Sequence, residues 1–392
     1  MYQTVDGKQY IMQGIDNDYP GEGFFANMTV LNKCGVTSVP TTLSEMEAAM
    51  QKVREADPSV TPFHTIFQID YYMGVFGASL NARTNMYFDP SDKKWKFALL
   101  TPESKYKELI TLMADYYEKG YFNPEFSTMS GEQSKQLIAS NKWAFTFAYA
   151  TQLGLWYDVD NNGKFPVEIE PFLPVAAEGV KSNIRCAYTS DSPYWGYSAS
   201  AKVKNPELTV SWMDMMLSDE VATAFQWGVE GTSYTQDANG KKSWVKEFVA
   251  KGDQASKDLG IWNILSPRYI TKRDDSSMLQ KYHPVDQKMV KMQAEAIKSG
   301  TIDSYYYRAN PKFTEDESEE LSSIMTPVQT KMAEGQAQFI LGKRSMSEWD
   351  NFVNEVKSLG NIDRAVEIYN NAIQSPDRLQ GKERDYVTPL QD

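Results

Sequence analysis

Aromatic rings and carboxylates are the residues whose types and spacing could do chemistry in this chain. Tyr71-Tyr72 stands beside Gly74, Trp143 to Tyr149 alternates large and small side chains, Trp156-Tyr157 follows, and Tyr194-Trp195 comes later. Trp227-Gly228-Val229-Glu230-Gly231-Thr232-Ser233-Tyr234 reads as a loop with two rings and a carboxylate among glycines. Flat rings can stack on the apolar faces of sugars while carboxylates and amides bind hydroxyls, the composition of a cleft for a polar, neutral ligand. Core packing competes for every ring taken singly, and Tyr305-Tyr306-Tyr307 reads as a surface loop.

Other motifs are weaker. Gly21-Glu22-Gly23-Phe24-Phe25-Ala26 formally matches a dinucleotide fingerprint, but it follows Tyr19-Pro20 and leads into no clear long helix, so it reads as a plain turn. Asp158-Val159-Asp160-Asn161-Asn162-Gly163 resembles half of a calcium loop, yet the twelfth position is Ile169, which favours a turn-rich loop. Gly196-Tyr197-Ser198-Ala199-Ser200 lacks the last glycine of a nucleophile elbow, and GxxxxGK is missing. With 52 acids, a glycosidase pair is neither supported nor excluded. Two cysteines, Cys34 and Cys186, and two histidines, His64 and His283, are too scattered for a zinc pattern, and the cysteines read as core thiols. Neither metal nor cofactor is expected.

These residues need elements to hold them. Thr42 or Thr41 can cap a helix, Glu45 three residues after Thr42 makes a capping box, and Leu43, Met46, Ala49, Met50 and Val53 fall at helical spacing. A second helix is expected over 104–119, a short one over 134–139, and strands at Trp143–Tyr149, Val167–Pro174 and 194–200. Helices follow from Pro206 to Leu217 and on through Phe225. From Thr314 the pattern is almost wholly helical, opened by the capping box Thr314-Glu315-Asp316-Glu317, with a new helix beginning at Pro327 and others over 345–359 and 362–373. Strands alternate with helices early and helices gather late, an α/β class with a helical C-terminal portion.

Length and charge bound the rest. A chain of 392 residues can fill two cores, and a net charge of −12 argues against nucleic acid and anionic membranes as partners. Aromatic residues make up 13% of a chain that is polar on average, which suggests that some rings serve a binding face. No secretory signal opens the sequence and no run of some eighteen apolar residues occurs.

Several segments together resemble the extracellular solute-binding proteins of bacterial carbohydrate ABC transporters, in particular the Gram-positive lipoprotein branch. They include Val5-Asp6-Gly7-Lys8-Gln9-Tyr10, Leu31-Asn32-Lys33-Cys34-Gly35-Val36, Val39-Pro40-Thr41-Thr42-Leu43-Ser44-Glu45 and Tyr117-Glu118-Lys119-Gly120-Tyr121-Phe122-Asn123-Pro124-Glu125. Ala201-Lys202-Val203-Lys204-Asn205-Pro206-Glu207 and Trp227 to Thr235 continue the match. Phe313-Thr314-Glu315-Asp316-Glu317, Phe339-Ile340-Leu341-Gly342-Lys343, Trp349-Asp350 and Ile368-Tyr369-Asn370-Asn371-Ala372 complete it in family order.

The resemblance implies a two-lobed, periplasmic-binding-protein-like fold of type II that closes about a hinge around its solute. Residues 1–22 and 192–320 would form lobe I, and 23–191 with 321–392 lobe II. Tyr71 or Tyr72, Tyr149, Trp195, Trp227 and Glu230 would fall where members place cleft residues, with Trp156 and Tyr234 as further ring candidates. The implied function is non-catalytic capture of an oligosaccharide or similar sugar, with permease subunits as partners, a monomer at the extracellular cell surface. A glycan-active hydrolase and a structural surface protein with a degenerate cleft are the alternatives. Family members also carry a signal peptide, a lipidated cysteine and a sizeable stretch before the region matching Met1, so lobe I is expected to be incomplete and binding impaired.

Overall fold

The computed structural model describes residues 10–13, 21–65, 68–89, 91–150, 152–157, 159, 163–183, 196–249, 280, 283–303, 310–374 and 379–380. All six side chains of strand β1 (Glu22–Asn27) are buried, so the strand is covered on both faces. The six-residue helix α1 (Met28–Lys33) follows directly, capped by Asn27. Helix α2 (Leu43–Ala56) starts where the sequence predicts, with Thr42 accepting from the Glu45 amide, although the Glu45 carboxylate turns to Thr41 instead of closing the box on Thr42. Strand β2 (Thr61–Thr65) and helix α3 (Ile69–Leu80) come next. The hairpin of β3 (Met86–Asp89) and β4 (Lys94–Phe97) then leads to α4 (Tyr106–Glu118).

Helix α5 (Gly131–Ala139), strand β5 (Trp143–Tyr149), helix α6 (Gln152–Trp156) and strand β6 (Ile169–Phe172) complete a four-stranded sheet in the order β2-β5-β1-β6. Strands β2 and β5 are parallel, and β1 runs antiparallel to both β5 and β6. Helices α7 (Pro206–Met215) and α8 (Asp219–Trp227) precede the hairpin β7 (Tyr234–Gln236)–β8 (Lys242–Trp244). Helix α9 (Pro284–Lys298) is followed by α10 (Glu315–Ile340), α11 (Trp349–Lys357) and α12 (Ile362–Ala372).

The main core fills one face of the sheet. Phe24, Phe145 and Phe147 meet Leu109 and Met113 of α4, and the same cluster continues through Val328 and Phe339 of α10. On the other face Phe25, Trp143 and Ala148 meet Ile138 of α5, Leu153 and Trp156 of α6, and Met289 and Val290 of α9. Helix α9 therefore rests on the sheet formed by residues 22–172, although it falls inside the 192–320 segment expected in the other lobe. Gly23 permits that seat, because a Cβ there would lie 2.5 Å from Met289 Sδ and 2.9 Å from Gln293 Nε2.

Two expectations change, and two features go beyond the sequence reading. In place of a plain turn, the segment from Gly21 leads into the central strand Glu22–Asn27, whose Phe24 and Phe25 point into the two separate cores. Pro327 lies inside α10 instead of starting a helix, because buried Leu321 and Met325 on one side and Val328 and Met332 on the other hold the helix through it. That packing outweighs the ~3 kcal/mol that an interior proline costs. The apolar residues of α7 do not all face a core: Met213 is buried while Leu208, Val210, Trp212 and Met215 are exposed. Finally, Tyr71-Tyr72 belongs to a helix, α3, and the residues of α9 form another, both of which the sequence reading passed over.

Candidate functional site

Strands β2 and β5 run in parallel and end at the same edge of the sheet, and β1, running the opposite way, starts there. Glu22, the first residue of β1, stands in register with Tyr149, the last of β5. Tyr71 lies in the first turn of α3, the helix that follows β2. Three residues distant in sequence thus meet at the carboxyl ends of the parallel strands, where open α/β sheets hold ligands.

The geometry is tight. The Tyr71 hydroxyl donates to Glu22 Oε1 at 3.0 Å and stands 2.8 Å from the Tyr149 hydroxyl. The two rings meet edge to face with centroids 6.5 Å apart. Glu22 is only 4% exposed, Tyr71 is half-buried, and Tyr149 is 37% exposed, so the cluster runs from the interior to water. Glu22 Oε2 is buried and has no hydrogen-bond partner among the described residues. Burial raises the Glu22 carboxyl to about 8, against the opposing pull of the Tyr71 and Tyr149 hydroxyls. Near neutral pH the group is a carboxylic acid that can both donate and accept a hydrogen bond. From behind, Gln293 of α9 donates to the Glu22 carbonyl at 3.1 Å and fixes the strand end.

The remaining site candidates lie elsewhere. Tyr72 is buried in the aromatic core, its ring 4.8 Å from both Phe122 and Phe126, and its hydroxyl stands 3.4 Å from His64 Nδ1. Trp156 is buried on the opposite face, 6.4 Å from the His64 ring. Burial holds the His64 imidazole down at about 3, so it is neutral. Trp227 and Tyr234 are both buried, and Trp227 stacks on Trp244 at 4.9 Å. Glu230 is exposed on the turn between them. The structure therefore brings Tyr71 and Tyr149 together, gives Tyr72, Trp156, Trp227 and Tyr234 to packing, and leaves Glu230 on the surface. Trp195, Tyr305–Tyr307, Cys186 and most of the Asp158–Asn162 loop lie outside the described residues.

Glu22 is the residue that sequence reasoning missed. As one of 52 acids it carried no local mark, and its partners are 49 residues away for Tyr71 and, through the strand register, at Tyr149. Among the described residues no three His, Cys, Asp or Glu side chains gather to hold a metal ion.

The chain belongs to the bacterial extracellular solute-binding protein family, whose model matches residues 3–223. Its fold is the α/β, two-lobed periplasmic-binding-protein-like one of the solved structures it is similar to. One is the alginate-binding protein AlgQ2 without calcium ion, at 17% identity and a TM-score of 0.73, covering 95% of this chain and 76% of that one. A second is a solute-binding protein from Bifidobacterium longum infantis associated with an HMO-binding ABC transporter, at 18% identity and a TM-score of 0.66, covering 95% and 78%. A third is the Streptococcus pneumoniae ABC-transporter substrate-binding protein FusA in complex with kestose, at 14% identity and a TM-score of 0.67, covering 95% and 77%. No curated protein sequence matches the chain. Among the described residues no helix is long and apolar enough to cross a membrane.

Proposed function

We propose that this protein is the non-catalytic receptor of a carbohydrate ABC importer, capturing an oligosaccharide in a cleft between two lobes outside the cell and presenting it to the permease subunits. The single observation that carries the reading is the Glu22–Tyr71–Tyr149 cluster at the carboxyl ends of the parallel strands in a solute-binding-protein sheet. Rings with phenolic hydroxyls and a carboxyl group suit a polyol, which offers apolar C–H faces and many hydroxyls at once. The sugar-binding neighbours named above support the same ligand class.

Lobe II in this proposal is built on the four-stranded sheet and takes in α9, which rests on it; lobe I comprises residues 10–13 and 196–249. Supporting that grouping, Met12–Gln13 pairs with Gly196–Tyr197, and Met12 and Tyr197 pack with Met213 and Met216. Closure would press the ligand against Tyr149, and the permease would distinguish closed from open by differential contacts.

The test is a thermal-shift and calorimetric screen of kestose, maltotriose, Man5GlcNAc and an oligoalginate. A true ligand at a hundredfold excess over its Kd stabilises by about 2.7 kcal/mol. Silence across the panel with a response to peptides would overturn the receptor reading, and turnover of any glycan would favour a hydrolase instead. Truncating Tyr149→Ala, which removes the exposed ring, is expected to weaken binding about tenfold.

A further inference from the structure

Glu22 is an unusual group to place against a ligand: a carboxyl that is nearly all buried, one oxygen held by Tyr71 and the other without a partner among the described residues. Water reaches the cluster on the side of Tyr149, the exposed member. A glycan seated there covers the opening and removes what solvation the carboxylate form has. Desolvation penalises the charged form of an acid, so covering the site favours the neutral one.

We propose that capture at this edge is proton-linked: the neutral carboxylic acid of Glu22 is the form that binds an uncharged glycan, and its ionisation weakens binding. The proposal rests on the carbohydrate-receptor reading above and adds to it how the same site is regulated. The free protein already holds the Glu22 carboxyl at about 8, so ionisation falls within an accessible range.

Among the described residues, Tyr71 of α3 donates to Glu22, and Tyr149 of β5 meets the Tyr71 hydroxyl. Asp70 precedes Tyr71 on α3, and α1 ends in Lys33. On β6, Glu170 pairs with Lys288 of α9, and that helix also carries buried Asp286 together with Lys291 and Glu295.

The sign follows from linkage. If the bound form keeps its proton to higher pH than the free form, affinity is constant well below pH 8 and falls above it. Calorimetric Kd values for kestose, maltotriose and Man5GlcNAc between pH 6.5 and 9.5 test this on the wild-type protein. The expected result is a Kd about tenfold weaker at pH 9 than at pH 7 for whichever glycan binds. At pH 8, titrations in two buffers of different ionisation enthalpy should show uptake of about half a proton per glycan, a readout that needs no variant. Glu22→Gln cannot ionise and should lose the pH dependence, whatever its affinity. Binding with a flat profile, binding that tightens above pH 8, proton release, or a decline that persists in Glu22→Gln would each overturn the proton linkage and leave the receptor reading standing. Silence of these three and of the oligoalginate at pH 6.5 would remove both, and binding of the oligoalginate alone would overturn the proton linkage and leave the receptor reading standing.

Discussion

Glu22 has a measurable consequence for stability as well as for binding. Its folded-state carboxyl titrates at about 8, above the ordinary 4.5 that it regains on unfolding. Below pH 4.5 both states hold the proton and the group is neutral to stability. Between 4.5 and about 8 only the unfolded chain releases it, so stability falls as pH rises, by roughly 1.4 kcal/mol per unit, and then levels off. From pH 4.5 to 7 the loss attributable to Glu22 is on the order of 3 kcal/mol. Glu22→Gln is therefore expected to be more stable than wild type at pH 7.5 and to gain less or nothing at pH 4.5, checked by urea unfolding at the two values. An equal difference at both would show that the carboxyl is not held neutral. His64 acts at the acid end: its folded-state value of about 3 lies below the usual 6.5, so stability is lost as pH falls through 6.5 towards 3.

Among the elements, close helix packing depends on two glycines. Gly335 in α10 faces Phe352 of α11, and a Cβ there would lie 2.1 Å from the ring's Cε2 and 2.5 Å from its Cζ. Alanine would gain about 1 kcal/mol of helix propensity. The clash with a buried ring that also meets Phe339 and Trp349 is larger, since overpacking costs about 1–3 kcal/mol and more where neighbours cannot yield. Gly335→Ala should lower Tm by several degrees, and an unchanged or raised Tm would contradict this account of the α10–α11 contact. Gly23→Ala should act at the sheet, pushing Met289 and Gln293 away from β1 and loosening the Glu22 carbonyl contact. Its expected signature is a loss of glycan affinity together with a loss of stability, whereas Gly335→Ala, on an element that lacks the cluster, affects stability alone.

At the scale of the whole molecule, burial is uneven. Strand β5 has six of its seven residues buried between two cores. Helix α7 buries Met213, while Leu208 is 65% exposed. Local opening needs the least energy where few apolar contacts are lost. Native-state hydrogen exchange should accordingly find the amides of α7 exchanging orders of magnitude faster than those of β5, and equal protection would show that α7 and the sheet open as one unit. The amino-acid sequence by itself determined the periodic, locally capped parts of this molecule: α2 from Thr42, α4, β5, and the box of Thr314 and Glu317 that starts α10. Those signals act over three or four residues and survive without tertiary context. The family order of segments was legible for the same reason, being written along the chain. Only the tertiary structure decided that Pro327 stays inside a helix, that Gly23 admits α9, and which rings pack and which face water. Tyr71 and Tyr72 show the cause: adjacent on one helix, they point in different directions, and the sheet edge turns Tyr71 towards Glu22 while the aromatic core takes Tyr72. Glu22 had no sequence signal because its environment is made by strand register and by burial between layers, and both exist only once the sheet has formed.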